Sequence, residues 1–139
     1  MSQLVRDVMT ADPITIQASA PIKEAAQKMR EADVGPIIVM DDGAVCGILT
    51  DRDIAIRAVA EGRSPERTTV GEICSKGLSV LSPRDKVTMA IDLMEKRAIR
   101  RLPVVEGDTP VGILSIGDLA VQREPESMLG QISAAPPNE

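Results

Sequence analysis

The chain has 139 residues and a formal net charge of −5, and it contains no Phe, Trp, Tyr or His. The missing imidazole excludes most enzyme templates, because His is the commonest general acid–base group, and the acidic balance excludes the basic surface of a nucleic-acid-binding protein. Apolar residues make up 43% of the chain, so we expect a core built from Ile, Val, Leu, Met and Ala.

The first half of the chain predicts a short helix, a short strand, an amphipathic helix, a strand hairpin and a final helix. The amphipathic helix is indicated by Ile22, Ala25, Ala26 and Met29, whose i, i+3, i+4, i+7 spacing puts them on one face. A turn signal over residues 41–43 separates the two apolar runs of the hairpin. The predicted elements cover residues 5–9, 13–16, 37–40 and 45–49, with the longer helices beginning near residues 22 and 51.

The second half repeats the first at a constant offset of 65 residues, so that Gly47 falls on Gly112. An offset without insertions predicts two similar half-domains. The second amphipathic helix is expected to begin with Ser82 as N-cap, Pro83 in the first turn and Asp85 three residues after the cap. The repeated elements are expected over residues 70–74, 78–81, 102–105 and 111–114, with the longer helices beginning near residues 82 and 116.

The polar residues 63–69 predict a linker between the two copies. After the second copy the pattern fades, with a short helix predicted over residues 128–132 and disorder over residues 134–139. We therefore divide the chain into a first repeat with its linker over residues 1–67, a second repeat over residues 68–125 and a tail over residues 126–139.

The sequence indicates neither a membrane span nor a leader. No apolar run approaches the length of a span, and the first ten residues lack an apolar centre. Cys46 and Cys74 lie far apart in sequence and outside any CxxC pattern, which predicts two reduced, buried thiols. We therefore expect a cytoplasmic protein.

Several longer motifs occur in a fixed order, and some occur twice. They are Val-x-x-Val-Met-Thr over residues 5–10, Met-Arg-Glu-Ala-Asp-Val-Gly over 29–35, Ile-Arg-Arg-Leu-Pro-Val-Val over 99–105, and Gly-Ile-Leu-[Thr/Ser]-x-x-Asp ending at Asp53 and Asp118. Together they resemble the cystathionine-β-synthase (CBS) domain family over about residues 4–123. Two copies in tandem resemble a CBS pair, or Bateman module. The free-standing pair is similar to small bacterial proteins of the hypoxic-response type.

The resemblance implies an α+β fold in which two β-α-β-β-α repeats pack sheet to sheet about a pseudo-two-fold axis. Members of the family often bind AMP, ADP, ATP, S-adenosylmethionine or, in some cases, NAD in the clefts between repeats. They usually act as regulators rather than catalysts. The resemblance implies no required cofactor; an adenine nucleotide or S-adenosylmethionine is the implied regulatory ligand, with or without Mg²⁺.

Thr50 and Asp53 stand where a predicted strand ends and a helix begins, and Ser115 and Asp118 repeat the arrangement. The hydroxyl is placed to donate to a phosphate or sugar oxygen, and the carboxylate to accept from both hydroxyls of a ribose. The resemblance implies that these four residues hold the ribose and the nearby phosphate. The same patterns are also capping boxes, which need no ligand, and the two interpretations are compatible.

Arg100 and Arg101 precede a predicted strand, at positions where the resemblance implies phosphate contacts. The planar fork of an arginine bonds two phosphate oxygens, although a solvated charge run at a helix end would have the same composition. The first copy has the uncharged Gly35-Pro36 at the matching positions. We therefore expect the cleft of Thr50 to favour di- or triphosphates, and the other cleft to take a less charged ligand or to stay empty.

An adenine would need an apolar slot, which only aliphatic side chains can line here, and each of these is equally a candidate for the core. The predicted slot and cleft lining are Thr10, Ile14, Thr15, Val34, Gly35, Pro36, Ile37, Ser75, Ser79, Ile99 and Leu102. The pseudo-two-fold would group Thr50 and Asp53 with residues 75–79 and 99–101, and Ser115 and Asp118 with residues 10–15 and 34–36.

Met89 and Leu93 add apolar surface to the second amphipathic helix, where the first copy has Glu24 and Lys28. Apolar surface off the core face indicates a partner interface, and the resemblance implies dimers formed through these helices. A wider buried stripe within the monomer is the alternative. We expect a homodimer with Met89 and Leu93 at its interface.

These observations predict a regulatory module that is not an enzyme. It would bind an adenosine-type small molecule and relay its occupancy to an unknown target protein, with neither nucleic acid nor membrane as partner. The alternative is a dimerisation scaffold of the same fold with degenerate ligand sites, which the uncharged Gly35-Pro36 pair and the missing aromatic rings favour. No nucleophile–base arrangement or phosphate-binding glycine loop points to catalysis.

Overall fold

A computed structural model describes residues 3–123 of the chain. Helices and strands are mixed and the strands form two sheets, which confirms the predicted α+β class. The helices are α1 (Val5–Val8), α2 (Ile22–Ala32), α3 (Asp51–Ile54, continued by a π-helical segment over Ala55–Val59), α4 (Val70–Ile73), α5 (Val87–Arg97) and α6 (Ile116–Arg123). The strands are β1 (Thr10–Ala11), β2 (Thr15–Gln17), β3 (Pro36–Asp41), β4 (Ala44–Thr50), β5 (Ser75–Lys76), β6 (Arg101–Glu106) and β7 (Thr109–Ser115).

The two sheets are built around the two predicted hairpins. The four-stranded sheet has the order β2-β3-β4-β5, with β2 parallel to β3 and the other pairs antiparallel. The three-stranded sheet has the antiparallel order β1-β7-β6. Both hairpins carry a register shift at the same place, between Val39 and Met40 and between Val104 and Val105. The sequence repeat is therefore a structural repeat down to the position of a bulge.

The chain forms two compact units that do not coincide with the sequence repeats. Unit I is Ile14–Leu78, and the described part of unit II is residues 3–13 and 79–123. The predicted boundary at residue 67 follows the repeat in the sequence, whereas the compact units divide the chain after Pro13 and after Leu78. Each unit therefore contains the opening segment of the other repeat.

Backbone hydrogen bonds hold these opening segments in place. In unit II, the Val5 N–H donates to Asp85 O at 2.8 Å, and in unit I the Val70 N–H donates to Ala20 O at the same distance. Val5 and Val70 are both fully buried. An apolar anchor and a satisfied backbone thus fix each segment against the unit that it joins.

Each unit has its own aliphatic core. The core of unit I is formed by Ile16, Ile22, Ala25, Met29, Ile37, Val39, Leu49, Ala58, Val70, Ile73 and Cys74. The core of unit II is formed by Val5, Leu81, Val87, Ala90, Met94, Leu102, Val104, Leu114 and Leu119. Ile22, Ala25 and Met29 of α2, and Val87, Ala90 and Met94 of α5, point into these cores, as the 3.6-residue periodicity predicted. Ala26, which was predicted on the same face of α2, is exposed, so the buried face of this helix is narrower than expected.

The predicted start of the second amphipathic helix is wrong. Helix α5 begins at Val87 with Lys86 as N-cap, and Ser82 makes no cap to it. Instead, Ser82 O accepts the Asp85 N–H at 3.0 Å and the Ser82 N–H donates to Asp85 Oδ2 at 2.8 Å. The same residue types close a turn here, because Ser and Asp side chains serve backbone N–H groups in turns as well as at helix ends.

The extended stretch predicted over residues 78–81 is also shorter than expected. Within residues 3–123, Leu81 alone of this stretch pairs with a strand, as a parallel bridge to Val104. The tail and the helix predicted over residues 128–132 lie outside the described residues.

Candidate functional site

The first candidate site is the junction between β4 and α3 in unit I. Thr50 Oγ1 accepts the Asp53 N–H at 3.1 Å, and the Thr50 N–H donates to Asp53 Oδ2 at 2.9 Å. This is a reciprocal capping box, and both side chains are half-buried. The predicted capping is therefore present, and it engages one of the two carboxylate oxygens of Asp53.

The second carboxylate oxygen of Asp53 faces a residue that the sequence analysis missed. Arg57 Nη2 lies 3.6 Å from Asp53 Oδ1, while Arg57 Nη1 donates to Ile73 O at 2.8 Å and to Ser75 Oγ at 3.2 Å. Arg57 thus joins the predicted residues Asp53 and Ser75 within one unit. Its position four residues after Asp53 was the available signal, because residues i and i+4 share a helix face.

The matching junction between β7 and α6 in unit II has the same box with a different neighbour. Ser115 Oγ accepts the Asp118 N–H at 3.1 Å, and the Ser115 N–H donates to Asp118 Oδ2 at 2.9 Å. Here the other carboxylate oxygen, Asp118 Oδ1, accepts from Thr10 Oγ1 at 3.1 Å. Thr10 was among the residues predicted to group with Ser115 and Asp118. Its neutral hydroxyl occupies the place that the guanidinium of Arg57 has in unit I.

The start of a neighbouring strand lies beside each capping box. In unit I, Pro36 pairs with Thr50 and the Asp51 N–H donates to Gly35 O at 3.2 Å. In unit II, Arg101 pairs with Ser115 and the Ile116 N–H donates to Arg100 O at 3.0 Å. Both arginine side chains are exposed. The predicted grouping of these arginines with Thr50 joins residues of different units and stays a prediction.

Two residues of the predicted adenine slot lie inside the cores. Ile37 and Leu102 are fully buried, in the cores of unit I and unit II respectively, so neither side chain exposes surface to a ligand in this structure. The other slot and lining residues are half-buried or exposed: Thr10, Ile14, Thr15, Val34, Gly35, Pro36, Ser75, Ser79 and Ile99. Ile14 and Ile99 also pack against the core of their own unit.

The two residues predicted for a dimer interface differ in exposure. Met89 is 47% exposed, whereas Leu93 is half-buried and packs against the core of unit II. Part of the apolar stripe of α5 is therefore buried within unit II, and for Leu93 this agrees with the alternative interpretation of a wider buried stripe. The interface itself stays a prediction.

The two cysteines, although 28 positions apart in sequence, interact in unit I. Burial raises the pKa of the Cys74 thiol, and Cys46 raises it further through charge and a side-chain hydrogen bond, against a lowering by Lys76. Both are free thiols, with Cys74 buried and Cys46 half-buried. Cys74 immediately precedes Ser75, one of the residues that hold Arg57.

Residues 3–123 contain no group of three or more Cys, Asp or Glu side chains placed to bind a metal ion. In the same part of the chain, no helix combines the length and the apolar content that crossing a bilayer requires.

Comparison with known sequences identifies relatives over nearly the whole described chain. The sequence profile of the CBS domain matches residues 5–59 and 70–122. The CBS domain-containing protein YhcV of Bacillus subtilis is 42% identical over 119 residues, which cover 86% of this chain and 84% of YhcV. Hypoxic response protein 1 of Mycobacterium tuberculosis is 34% identical over 116 residues, which cover 83% of this chain and 81% of that protein.

Solved structures of similar proteins share the fold. A crystal structure of hypoxic response protein I with two coordinated zinc ions has a TM-score of 0.75 at 32% identity, covering 85% of this chain and 97% of that one. The CBS domain pair of protein MJ0100, in complex with 5′-methylthioadenosine and S-adenosyl-L-methionine, has a TM-score of 0.78 at 26% identity. That match covers 91% of this chain and 100% of the MJ0100 pair.

Proposed function

Because the chain belongs to the CBS domain family, we propose that it is a regulatory, non-catalytic module that binds an adenosine-containing ligand and relays its occupancy to a partner protein. The ligand class is AMP, ADP, ATP or S-adenosylmethionine. The module acts as a homodimer, and the partner protein carries the regulated activity.

The observation that carries this proposal is the pair of matched carboxylates at Asp53 and Asp118. Each is held by a capping box, which fixes the orientation of the carboxylate before any ligand arrives. Each has a second oxygen whose present partner, Arg57 or Thr10, is a side chain that can move aside. A carboxylate oriented in this way accepts from vicinal hydroxyls such as those of a ribose. The adenosine compounds bound by the MJ0100 pair support the same ligand class.

Regulation requires that the ligand bind one shape of the module more tightly than another. A ligand shifts a conformational equilibrium only by the difference between its affinities for the two states. A sugar hydroxyl that takes the place of Arg57 or Thr10 at the carboxylate breaks the link from Asp53 to α4–β5 or from Asp118 to β1. These are the segments through which each unit contains part of the other repeat. These segments are therefore the proposed route from ligand to partner.

Equilibrium dialysis against AMP, ADP, ATP and S-adenosylmethionine tests the proposal directly. The chain has no aromatic side chains, so the ultraviolet absorbance of the nucleobase reports ligand almost alone. We expect an excess of at least one compound on the protein side. No excess at ligand concentrations up to about millimolar would reject the proposal.

A matched set of variants tests the assigned residues. Asp53→Asn and Asp118→Asn together keep the shape of both caps but remove the charge that accepts from a ribose, and we expect them to abolish binding. Asp85→Asn is the control, because Asp85 Oδ2 accepts the Ser82 N–H at 2.8 Å in the same three-residue arrangement outside both sites. Binding by the double variant equal to that of the parent would show that the ribose assignment is wrong.

The second candidate function is a dimerisation scaffold without ligand. It is favoured by the capping boxes, which satisfy Thr50 and Ser115 without any bound molecule, and by the burial of Ile37 and Leu102. This candidate predicts the same oligomeric state with and without nucleotide, and a melting temperature that nucleotide does not change. Ligand-dependent melting supports the sensor instead.

The non-catalytic character is tested separately. The chain has no His, which is the commonest general acid–base group of enzymes. We expect no release of phosphate or adenine from ATP, ADP or AMP in the presence of Mg²⁺. Turnover that is lost in Asp53→Asn would instead make the module an enzyme.

A further inference from the structure

The two candidate sites differ in the group that faces the free carboxylate oxygen. In unit I this group is the guanidinium of Arg57, whereas in unit II it is the hydroxyl of Thr10. At the constant offset of 65 residues, the position of Arg57 corresponds to Gln122, so the sequence supplies no second arginine there. Among the described residues, the free carboxylate oxygen of Asp53 therefore faces a cation, whereas that of Asp118 faces a neutral hydroxyl.

Resting on the proposed function, we infer that Arg57 is the phosphate-binding and specificity-determining residue of the Asp53 site, which makes unit I selective for phosphorylated adenosine ligands.

The contacts of Arg57 suit a side chain that exchanges partners. Its ion pair with Asp53 has an N–O distance of 3.6 Å and its side chain is 46% exposed, so the pair contributes little to stability. Its hydrogen bonds to Ile73 O and Ser75 Oγ go to neutral acceptors and leave the charge uncompensated. They also hold the guanidinium beside the site when it leaves the carboxylate.

A phosphorylated nucleoside provides a better partner for both the carboxylate of Asp53 and the guanidinium of Arg57. The ribose hydroxyls donate to Asp53 Oδ1, which releases Arg57 from the carboxylate. The guanidinium then bonds the phosphate, whose oxygens match its planar fork and carry more charge than one carboxylate. Adenosine without phosphate gains the first contact but leaves the displaced arginine without an anion, so it binds unit I less tightly than AMP does.

The test measures the ratio of the dissociation constants of adenosine and AMP by equilibrium dialysis. All variants are made in an Asp118→Asn background, so that the site of unit I is measured alone. Arg57→Gln removes the guanidinium and copies the residue at the corresponding position of the second repeat. Arg52→Gln is the matched control, because it makes the same charge change on an exposed residue of the same helix.

We expect Arg57→Gln to weaken AMP binding about tenfold or more, since a hydrogen bond to a charged group contributes on that scale, and to change adenosine binding by less than about twofold. Arg52→Gln should change neither constant. If Arg57→Gln weakens AMP and adenosine equally, Arg57 only positions Asp53, and the inference is overturned. An unchanged AMP constant overturns it as well.

Failure of the proposed function gives a different result. In that case the parent chain binds none of AMP, ADP, ATP and S-adenosylmethionine, or Asp53→Asn in the Asp118→Asn background binds them as well as the parent does. Circular dichroism melting checks that Arg57→Gln is folded. Should it unfold, Arg57→Lys replaces it, because Lys keeps the charge without the fork and should still reduce the preference for AMP.

Discussion

Gly47 and Ser75 approach so closely that a Cβ on Gly47 would overlap the carbonyl oxygen of Ser75. The approach occurs where β5 pairs with β4, with Gly47 opposite Lys76 and Ile48 opposite Ser75. Gly112 repeats it in unit II, where a Cβ would lie 2.5 Å from Met9 Sδ and 2.9 Å from Thr10 O. In each hairpin, the absence of a side chain at one glycine therefore leaves room for the opening segment of the other repeat.

Replacing these glycines should destabilise the fold to different degrees. Gly47→Ala should lower the free energy of unfolding by about 3 kcal/mol, at the upper end of the cost of overpacking, because the obstructing atoms belong to the backbone of Ser75 and Lys76. Gly112→Ala should cost less, since its nearest neighbour is the flexible end of Met9. Urea denaturation followed by far-ultraviolet circular dichroism measures both.

A substitution at Met9 is the control for the predicted loss of stability in Gly112→Ala. Met9→Ala in the Gly112→Ala background removes the nearest obstructing atom and should recover part of the lost stability, whereas Met9→Ala alone should not stabilise the chain. Equal losses for the two glycine variants would contradict the backbone explanation.

The capping boxes should contribute to stability whether or not a ligand binds. Thr50→Ala and Ser115→Ala each remove a hydroxyl that accepts a backbone N–H, and each should cost about 1 kcal/mol in unfolding free energy without ligand. Thr50→Ser keeps the acceptor and should cost less than Thr50→Ala. A Thr50→Ala variant as stable as the parent would show that the cap is not needed to hold α3.

The buried thiol of Cys74 should make stability depend on alkaline pH. Its pKa is raised in the folded state, chiefly by burial, so the unfolded chain loses this proton at a lower pH than the folded chain does. At pH values below the pKa of this thiol in the unfolded chain, about 8.5, Cys74 makes its full contribution to the free energy of unfolding. This contribution is lost as the pH rises from that value through the higher folded pKa. Urea denaturation at several pH values measures the loss.

Cys74→Ala is the control for the alkaline effect. This variant loses some packing but no longer carries the titrating thiol, so its stability should fall less steeply between neutral and alkaline pH. Alkylation by iodoacetamide gives a second measurement. Cys74 should react more slowly than a free cysteine in an unfolded peptide, because the thiolate is the reactive form and is disfavoured here.

The exposed Met89 should matter for assembly and the half-buried Leu93 for folding. Met89→Lys should shift a dimer towards monomer in sedimentation, while leaving the melting temperature of the monomer nearly unchanged. Val80→Lys is the matched control, because Val80 is similarly exposed, at 50% against 47%, and lies outside α5. Leu93→Ala should instead lower stability, by about 2 kcal/mol or somewhat less because its burial is partial. If the Met89→Lys variant has the same mass as a dimeric parent in sedimentation, Met89 does not belong to the dimer interface.

Local patterns predicted most of the secondary structure and the capping box of each candidate site. The spacing of Ile22, Ala25 and Met29 identified α2 and its buried face, since periodicity acts over a few turns. The Thr50–Asp53 and Ser115–Asp118 boxes were predicted because both partners lie three residues apart. The same locality misled at Ser82, whose turn and cap signals use identical residue types.

The sequence by itself determined the repeat, the hairpins and the family, because each depends on residues close together or on a fixed offset. The tertiary structure alone decided which unit each opening segment joins, that Arg57 donates to Ile73 O and Ser75 Oγ, and that Cys46 interacts with Cys74. These contacts join residues far apart along the chain, and they form only when backbone hydrogen bonds and the burial of anchors such as Val70 offset the entropy of closing the loop.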